Sequence, residues 1–179
     1  MLTFKLTEAI TILENTPMVL DALLNRLTDD WIRATEGPDT WSPFDVLGHL
    51  VHGEQTDWIP RILIILNDSD NKTFEPYDRF AQFQMSKGKT MSELLDEFKF
   101  LRAKNLELLR GYGIMETDLE RTGIHPSLGT VTLQNLLSAW VVHDLGHLTQ
   151  IERVMAKQYL EEVGPWTKYM TVLKHTPKE

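Results

Sequence analysis

Four stretches of this chain repeat apolar residues at steps of three and four, and no segment alternates convincingly with a period of two. A chain patterned this way buries its apolar surface by packing helix on helix. From Thr7 to Leu27 the stripe is Ile10, Ile12, Leu13, Met18, Leu20, Leu23, Leu24 and Leu27. Gly37-Pro38-Asp39 is turn chemistry, and Ser42-Pro43 supplies a cap followed by proline at the first helical position of the second stretch. That helix runs through Asp45, His49 and Glu54 towards Trp58. Pro60, which has no N–H, must kink or end it, with Ile59 to Leu66 continuing at an angle. Thr90 and Glu93 cap the third stretch, in which Leu94, Leu95, Phe98, Leu101, Leu106 and Leu109 lead to Gly111-Tyr112-Gly113. Thr130 or Thr132 opens the fourth, which extends to about Tyr159 through Leu133, Leu136, Leu137, Trp140, Leu148, Ile151 and Val154.

The connections complete the prediction. Asn67 to Lys89 is rich in turn formers, with Phe74, Tyr77, Phe80 and Phe83 interspersed, and reads as a long crossover with a short helix around Arg79 to Met85. Gly123 to Gly129 reads as a loop. Glu116, Asp118 and Glu120 read as a solvated cluster or the N-terminal turn of a helix. After Gly164-Pro165, the residues Trp166, Tyr169, Met170, Val172 and Leu173 predict one short helix packed by its aromatics. The expected fold is all-α: a four-helix bundle with a long connection between helices two and three and a short C-terminal helix. At 179 residues the chain is the size of one domain, 1–179.

Composition narrows the function. A formal charge of -8 opposes phosphate backbones, so nucleic acid is not an expected partner. With no cysteine the chain offers no disulfide, thiolate ligand or cysteine nucleophile, and any metal must sit on His, Asp or Glu. Lys5, Glu8, Glu14 and Asp21 interrupt the N-terminal apolar positions, and the longest apolar run, Ile62 to Leu66, cannot span a bilayer. The expectation is a cytoplasmic protein with no membrane contact. Its expected partners are a small-molecule substrate and, where two copies associate, a homodimer.

The sharpest chemical feature is His143-Asp144-Leu145-Gly146-His147. Residues four apart on a helix stack one above the other, so both imidazoles can point at one ion. At about 100° per residue they fall within roughly 20° of the line through Leu136 and Val154, facing the core. Burying two imidazoles is repaid better by metal coordination than by apolar packing. A third ligand must then come from a facing helix, and helical phase does not separate His49 from His52. His125, before a proline in a loop, and His175, near the C-terminus, read as solvated or loop-packing histidines.

The string Trp41-Ser42-Pro43-Phe44-Asp45-Val46-Leu47-Gly48-His49-Leu50, with Glu54 after it, resembles the second-helix motif of the DinB/YfiT-like superfamily. His125-Pro126, Gly129 to Leu133 and the run from His143 to Ile151 are similar to that family's fourth-helix motif, and Gly164 to Tyr169 to the tail of one branch. The resemblance implies a DinB-like four-helix bundle in which His49, His143 and His147 hold one ion, usually zinc or nickel. It thereby selects His49 over His52. It further implies, as the activity of some members, thiol-dependent transfer or isomerisation with a low-molecular-weight thiol.

Three neutral imidazoles leave an ion's charge unspent and at least one position open. Two mechanisms follow. A small-molecule thiolate could bind there and attack an electrophile, making the protein a thiol S-transferase. Alternatively water could be acidified to attack an ester or amide, with Asp144 or Glu54 as base, making it a hydrolase. Gln150, one turn beyond His147, could orient the guest by a hydrogen bond. His143 to His147 has Asp where the zinc-protease H-E-x-x-H places glutamate, one methylene short of that base. Without chemistry, the domain would be a metal-braced binding module. The resemblance predicts that His49→Ala loses the ion and His52→Ala retains it; metal content of the two purified variants checks this, and the reverse result would move the ligand by one turn.

Overall fold

The structure, a computed structural model, describes residues 2–174. Its long helices are α1 (Leu6–Leu24), α3 (Pro43–Thr56), α6 (Met91–Gly111) and α7 (Leu133–Lys157). Shorter helices are α2 (Asp29–Ile32), α4 (Trp58–Leu66) and α5 (Ala81–Met85). α1 and α3 each pack on both α6 and α7, so α1 and α3 lie across the bundle from one another. The four-helix architecture read from the apolar periodicity is therefore present, with a crossover carried by the segment between α4 and α6.

Three of the long helices begin with reciprocal caps. Ser42 and Asp45 close the first turn of α3, Thr90 and Glu93 that of α6, and Thr132 and Asn135 that of α7. In each, a side chain meets a backbone N–H that the helix itself leaves unpaired. Thr132, not Thr130, is thus the start of the fourth helix. The second helix breaks at Asp57, one turn before Pro60, and restarts as α4 with Pro60 in its first turn, where a missing N–H costs nothing.

Two expectations are corrected. Gly123 to Gly129 is not all loop: Thr122–His125 (β1) and Gly129–Thr132 (β2) form an antiparallel hairpin. Gly123 allows this, because a Cβ there would enter the Phe74 ring, and Gly129 turns the chain at φ +74°. The tail is not one helix packed by aromatics but two 3₁₀ turns, Gly164–Lys168 and Thr171–Lys174, with Trp166 64 % exposed. Glu116 to Glu120 also form a 3₁₀ turn, in which Asp118 accepts a bond from Met115 N. Among the described residues no helix is long and apolar enough to cross a membrane.

The core is divided. Leu13, Trp58, Leu106 and Trp140 belong to one apolar cluster; Leu20, Leu50, Phe98 and Ile151 belong to the other. Between them every long helix contributes a polar group. Pro17 lies inside α1, so the Leu13 carbonyl four residues earlier has no helical donor, and Arg102 Nη1 donates to it at 2.8 Å. The same guanidinium donates to Asp144 of α7 at 2.6 and 3.1 Å and to Glu54 of α3 at 2.8 Å. Asn105 Nδ2 and Trp140 Nε1 donate the remaining bonds to Glu54. Arg102 is 1 % exposed and Asp144 0 %. Removing the cation would strand two buried carboxylates and a buried carbonyl. Arg102→Met is expected to cost about 3–5 kcal/mol, whereas Arg110→Met, which breaks a half-exposed pair with Glu14, costs under about 1 kcal/mol. Urea unfolding of the two variants checks the contrast.

Candidate metal centre

His49 on α3 meets His143 and His147, one turn apart on α7, at the edge of the polar layer. The three imidazoles form a group whose ligand atoms lie within 4.8 Å of one another. His143 Nε2 is 3.0 Å from His49 Nε2 and 3.1 Å from His147 Nε2. A tetrahedral ion with bonds of about 2.0–2.1 Å separates its nitrogens by about 3.3 Å, so the spacing is close to what such an ion requires.

The outward nitrogens decide the tautomers. Gln150 Oε1 lies 2.9 Å from His147 Nδ1; a carbonyl oxygen only accepts, so Nδ1 carries the proton and Nε2 presents a lone pair. His143 Nδ1 has no hydrogen-bond partner and lies 4.0 Å from Asp144 Oδ1, a carboxylate that favours the proton on Nδ1. Two bare Nε2 lone pairs 3.1 Å apart repel one another unless a cation lies between them. At His49 the Tyr77 hydroxyl, 3.2 Å from Nδ1, can accept the Nδ1 proton when Nε2 is given to a ligand. The residues therefore fit a divalent ion.

Burial and the neighbouring histidines keep His49 and His147 uncharged. Desolvation, aided by His147 and His143, holds His49 down at about 3, and desolvation followed by His143 holds His147 at about 4. Both are neutral at pH 7, the state a metal ligand needs.

The phase expectation is corrected in one respect. His143 and His147 do not point into the core but sit half-buried at its edge, and the α7 residue that enters the centre is Asp144. Asp144 and Glu54 face Arg102 rather than the open side of the histidines. Burial raises the Asp144 carboxyl, but His143 and Arg102 outweigh it and hold it below the usual carboxylate range. At Glu54 burial wins and pushes the carboxyl up. Asp57, the other buried acid nearby, is paired with Arg61 at 2.8 Å. Neither Asp144 nor Glu54 is placed to act as a base on the guest of an ion.

His52 lies outside the group, its ring against Tyr77 at 5.0 Å. His125 accepts from Ser127 N and Leu128 N in the hairpin turn, and His175 lies outside the described residues. Aromatics wall the site: Trp58, stacked on Trp140, meets His143 edge-on at 5.2 Å, and Trp41 lies 5.0 Å from His49. Tyr77, Arg102 and Asn105 were not singled out from the sequence for the site. Pro17, which orphans a carbonyl, and Arg102 in the apolar third stretch were the available signals.

A crossover bundle with three histidines on two facing helices defines a class, and the comparisons agree with it. The model of the DinB superfamily matches residues 12–151, and the chain belongs to that superfamily. Solved structures of two other proteins are among those that share the fold. One is YfiT from Bacillus subtilis, described as a probable metal-dependent hydrolase with an unusual four-helix bundle topology. It is 22 % identical at a TM-score of 0.73, over 87 % of this chain and 90 % of that one. The other is TT2238, a four-helix bundle protein, 20 % identical at a TM-score of 0.56, over 83 % and 98 %. No curated protein matches the chain.

Two outcomes follow. Gln150→Leu, which frees the His147 tautomer, is expected to weaken ion binding about 10–100-fold, measured by competition with a chelating dye. In the metal-free protein His49 and His147 stay neutral while their unfolded counterparts protonate near 6.5, so the unfolded state binds more protons. Stability should fall as pH drops from about 6.5 towards 4, and less so in the His49→Gln, His147→Gln double variant, as acid titration of the melting temperature would record.

Proposed function

We propose that this protein is a metal-dependent hydrolase of a small ester or amide, with the ion held by His49, His143 and His147. The observation that carries this reading is a set of three imidazole nitrogens gathered within 4.8 Å of one another at the edge of the core, with no carboxylate in the group. A divalent ion held by these residues would supply Lewis acidity, lowering the pKa of a water towards about 7 or that of a small thiol in the same way. The protein's part is to hold and orient. Gln150 keeps the His147 proton on Nδ1, and Tyr77 offers His49 the same service. Trp58 and Trp41 set apolar rings beside His143 and His49. The likeness to YfiT, described as a probable hydrolase, supports the reading.

The second reading is thiol S-transfer to a small electrophile with a low-molecular-weight thiol. It is favoured by the absence, among the carboxylates placed beside the triad, of one free to take a proton from water, since a thiol needs far less help to ionise. Zinc and nickel both suit nitrogen donors with an open position for either guest.

Metal analysis of protein purified without a nickel column is expected to find one divalent ion per chain, lost in His143→Ala and His147→Ala. The loaded protein should hydrolyse members of a panel of aryl esters and anilides, the rate falling at least about 100-fold with chelator and in His147→Ala. Conjugation of a haloarene or epoxide only when a small thiol is supplied would select the second reading. Neither reaction, with an ion whose cobalt spectrum no thiol perturbs, would leave a metal-braced binding domain.

A further inference from the structure

A second concavity lies apart from the histidines. A cavity of about 430 Å³ opens between the first turn of α3 and the connection from α5 to α6, lined by Arg33, Phe44, Gln82, Phe83, Lys87 and Lys89. In a chain of net charge -8, this concentration of cations is against the general trend. Asp45 also lines it, but its carboxylate is engaged in capping α3, accepting from Ser42 N and Oγ. Lys89 is paired with Glu97 at 2.6 Å. Among the described residues, Arg33 and Lys87 have no carboxylate partner. Arg33 is instead laid over the Phe44 ring, 4.3 Å from its centroid.

Gln82 is the anomaly. It is 1 % exposed, and neither its Nε2 nor its Oε1 has a hydrogen-bond partner. Gly48 on α3 lets the end of α5 pack closely, since a Cβ there would collide with Ser86 Oγ, one turn beyond Gln82. A leucine would pack at this position without leaving an amide unpaired. An unpaired polar group retained in the wall of a cationic cavity is what a site looks like without its ligand. The half-exposed ring of Phe83 adds a flat apolar surface.

We propose that this cavity binds a small flat apolar molecule carrying a compact anion, a carboxylate or a phosphate. Arg33 and Lys87 meet the anion, the Phe83 ring holds the apolar body, and the Gln82 amide in the wall supplies one donor and one acceptor. The Phe83 ring is 6.1 Å from Trp41, which itself touches His49, so the cavity is divided from the histidines by a single aromatic pair. The proposal stands on the cavity alone and does not depend on the reaction at the histidines.

The test is calorimetric titration of the metal-loaded full chain with benzoate, with phenyl phosphate and with benzyl alcohol. At least one anion is expected to bind, more weakly as salt rises, and benzyl alcohol is not; which anion binds tighter tells carboxylate from phosphate. The Arg33→Gln, Lys87→Gln double variant, altered only at exposed positions, should bind at least about tenfold more weakly. Gln82→Leu should melt at a higher temperature and yet bind more weakly, a combination that a merely structural amide would not give. His147→Ala should bind as the wild type does. Loss of binding in His147→Ala would place the anion on the ion and overturn the proposal. So would undiminished binding in the double variant or in Gln82→Leu, or no binding of either anion.

Discussion

The position of one guanidinium governs the geometry of this bundle. Arg102 sits where four helices cross, and it is tolerated there because each neighbour brings a group that needs it. α1 brings the Leu13 carbonyl that Pro17 leaves open, α3 brings Glu54 and α7 brings Asp144. A buried ion pair contributes little net stability over an apolar substitute, because desolvation offsets the attraction. Its value lies in specificity. Sliding any of the four helices by a turn would strand a charge or a carbonyl, so the network fixes register where apolar packing alone would allow alternatives. The histidines inherit that register, since His143 adjoins Asp144 in the chain and His49 lies little more than a turn before Glu54.

What could be read from sequence follows from which signals are local. Helix positions, the caps at Ser42, Thr90 and Thr132 and the break near Pro60 depend on residues within a few positions of one another, and periodicity with capping chemistry reveals them. The hairpin was missed because its strands are four residues each and its pairing depends on Gly123 passing the distant Phe74. The tail was misread because apolar spacing does not say whether a face is covered, and here the aromatics are left exposed.

The site shows the same division. The spacing of His143 and His147 announced a shared ion, but their direction was misjudged because a stripe drawn through apolar residues alone leaves out Asp144. Including it turns the buried face of α7 towards Asp144 and leaves the imidazoles at the edge. Phase could not choose between His49 and His52 because both lie on a helix buried on nearly all sides. What separates them lies far away in sequence: both rings pack against Tyr77, but His49 Nε2 also meets His143 of α7.

Keeping the carboxylates away from the histidines has a chemical consequence. A carboxylate ligand would neutralise part of an ion's charge and weaken its pull on a bound water or thiol. Asp144 is adjacent to one histidine in the chain, yet both its oxygens are taken by Arg102. Its negative charge is thereby spent one layer below, where it still favours the His143 Nδ1 proton at 4.0 Å. The charge of an ion held there would stay undiluted, with the Trp58 and Trp41 rings rather than an anion beside the histidines. The network that sets the register of the bundle thus also keeps the buried carboxylates off the histidine group.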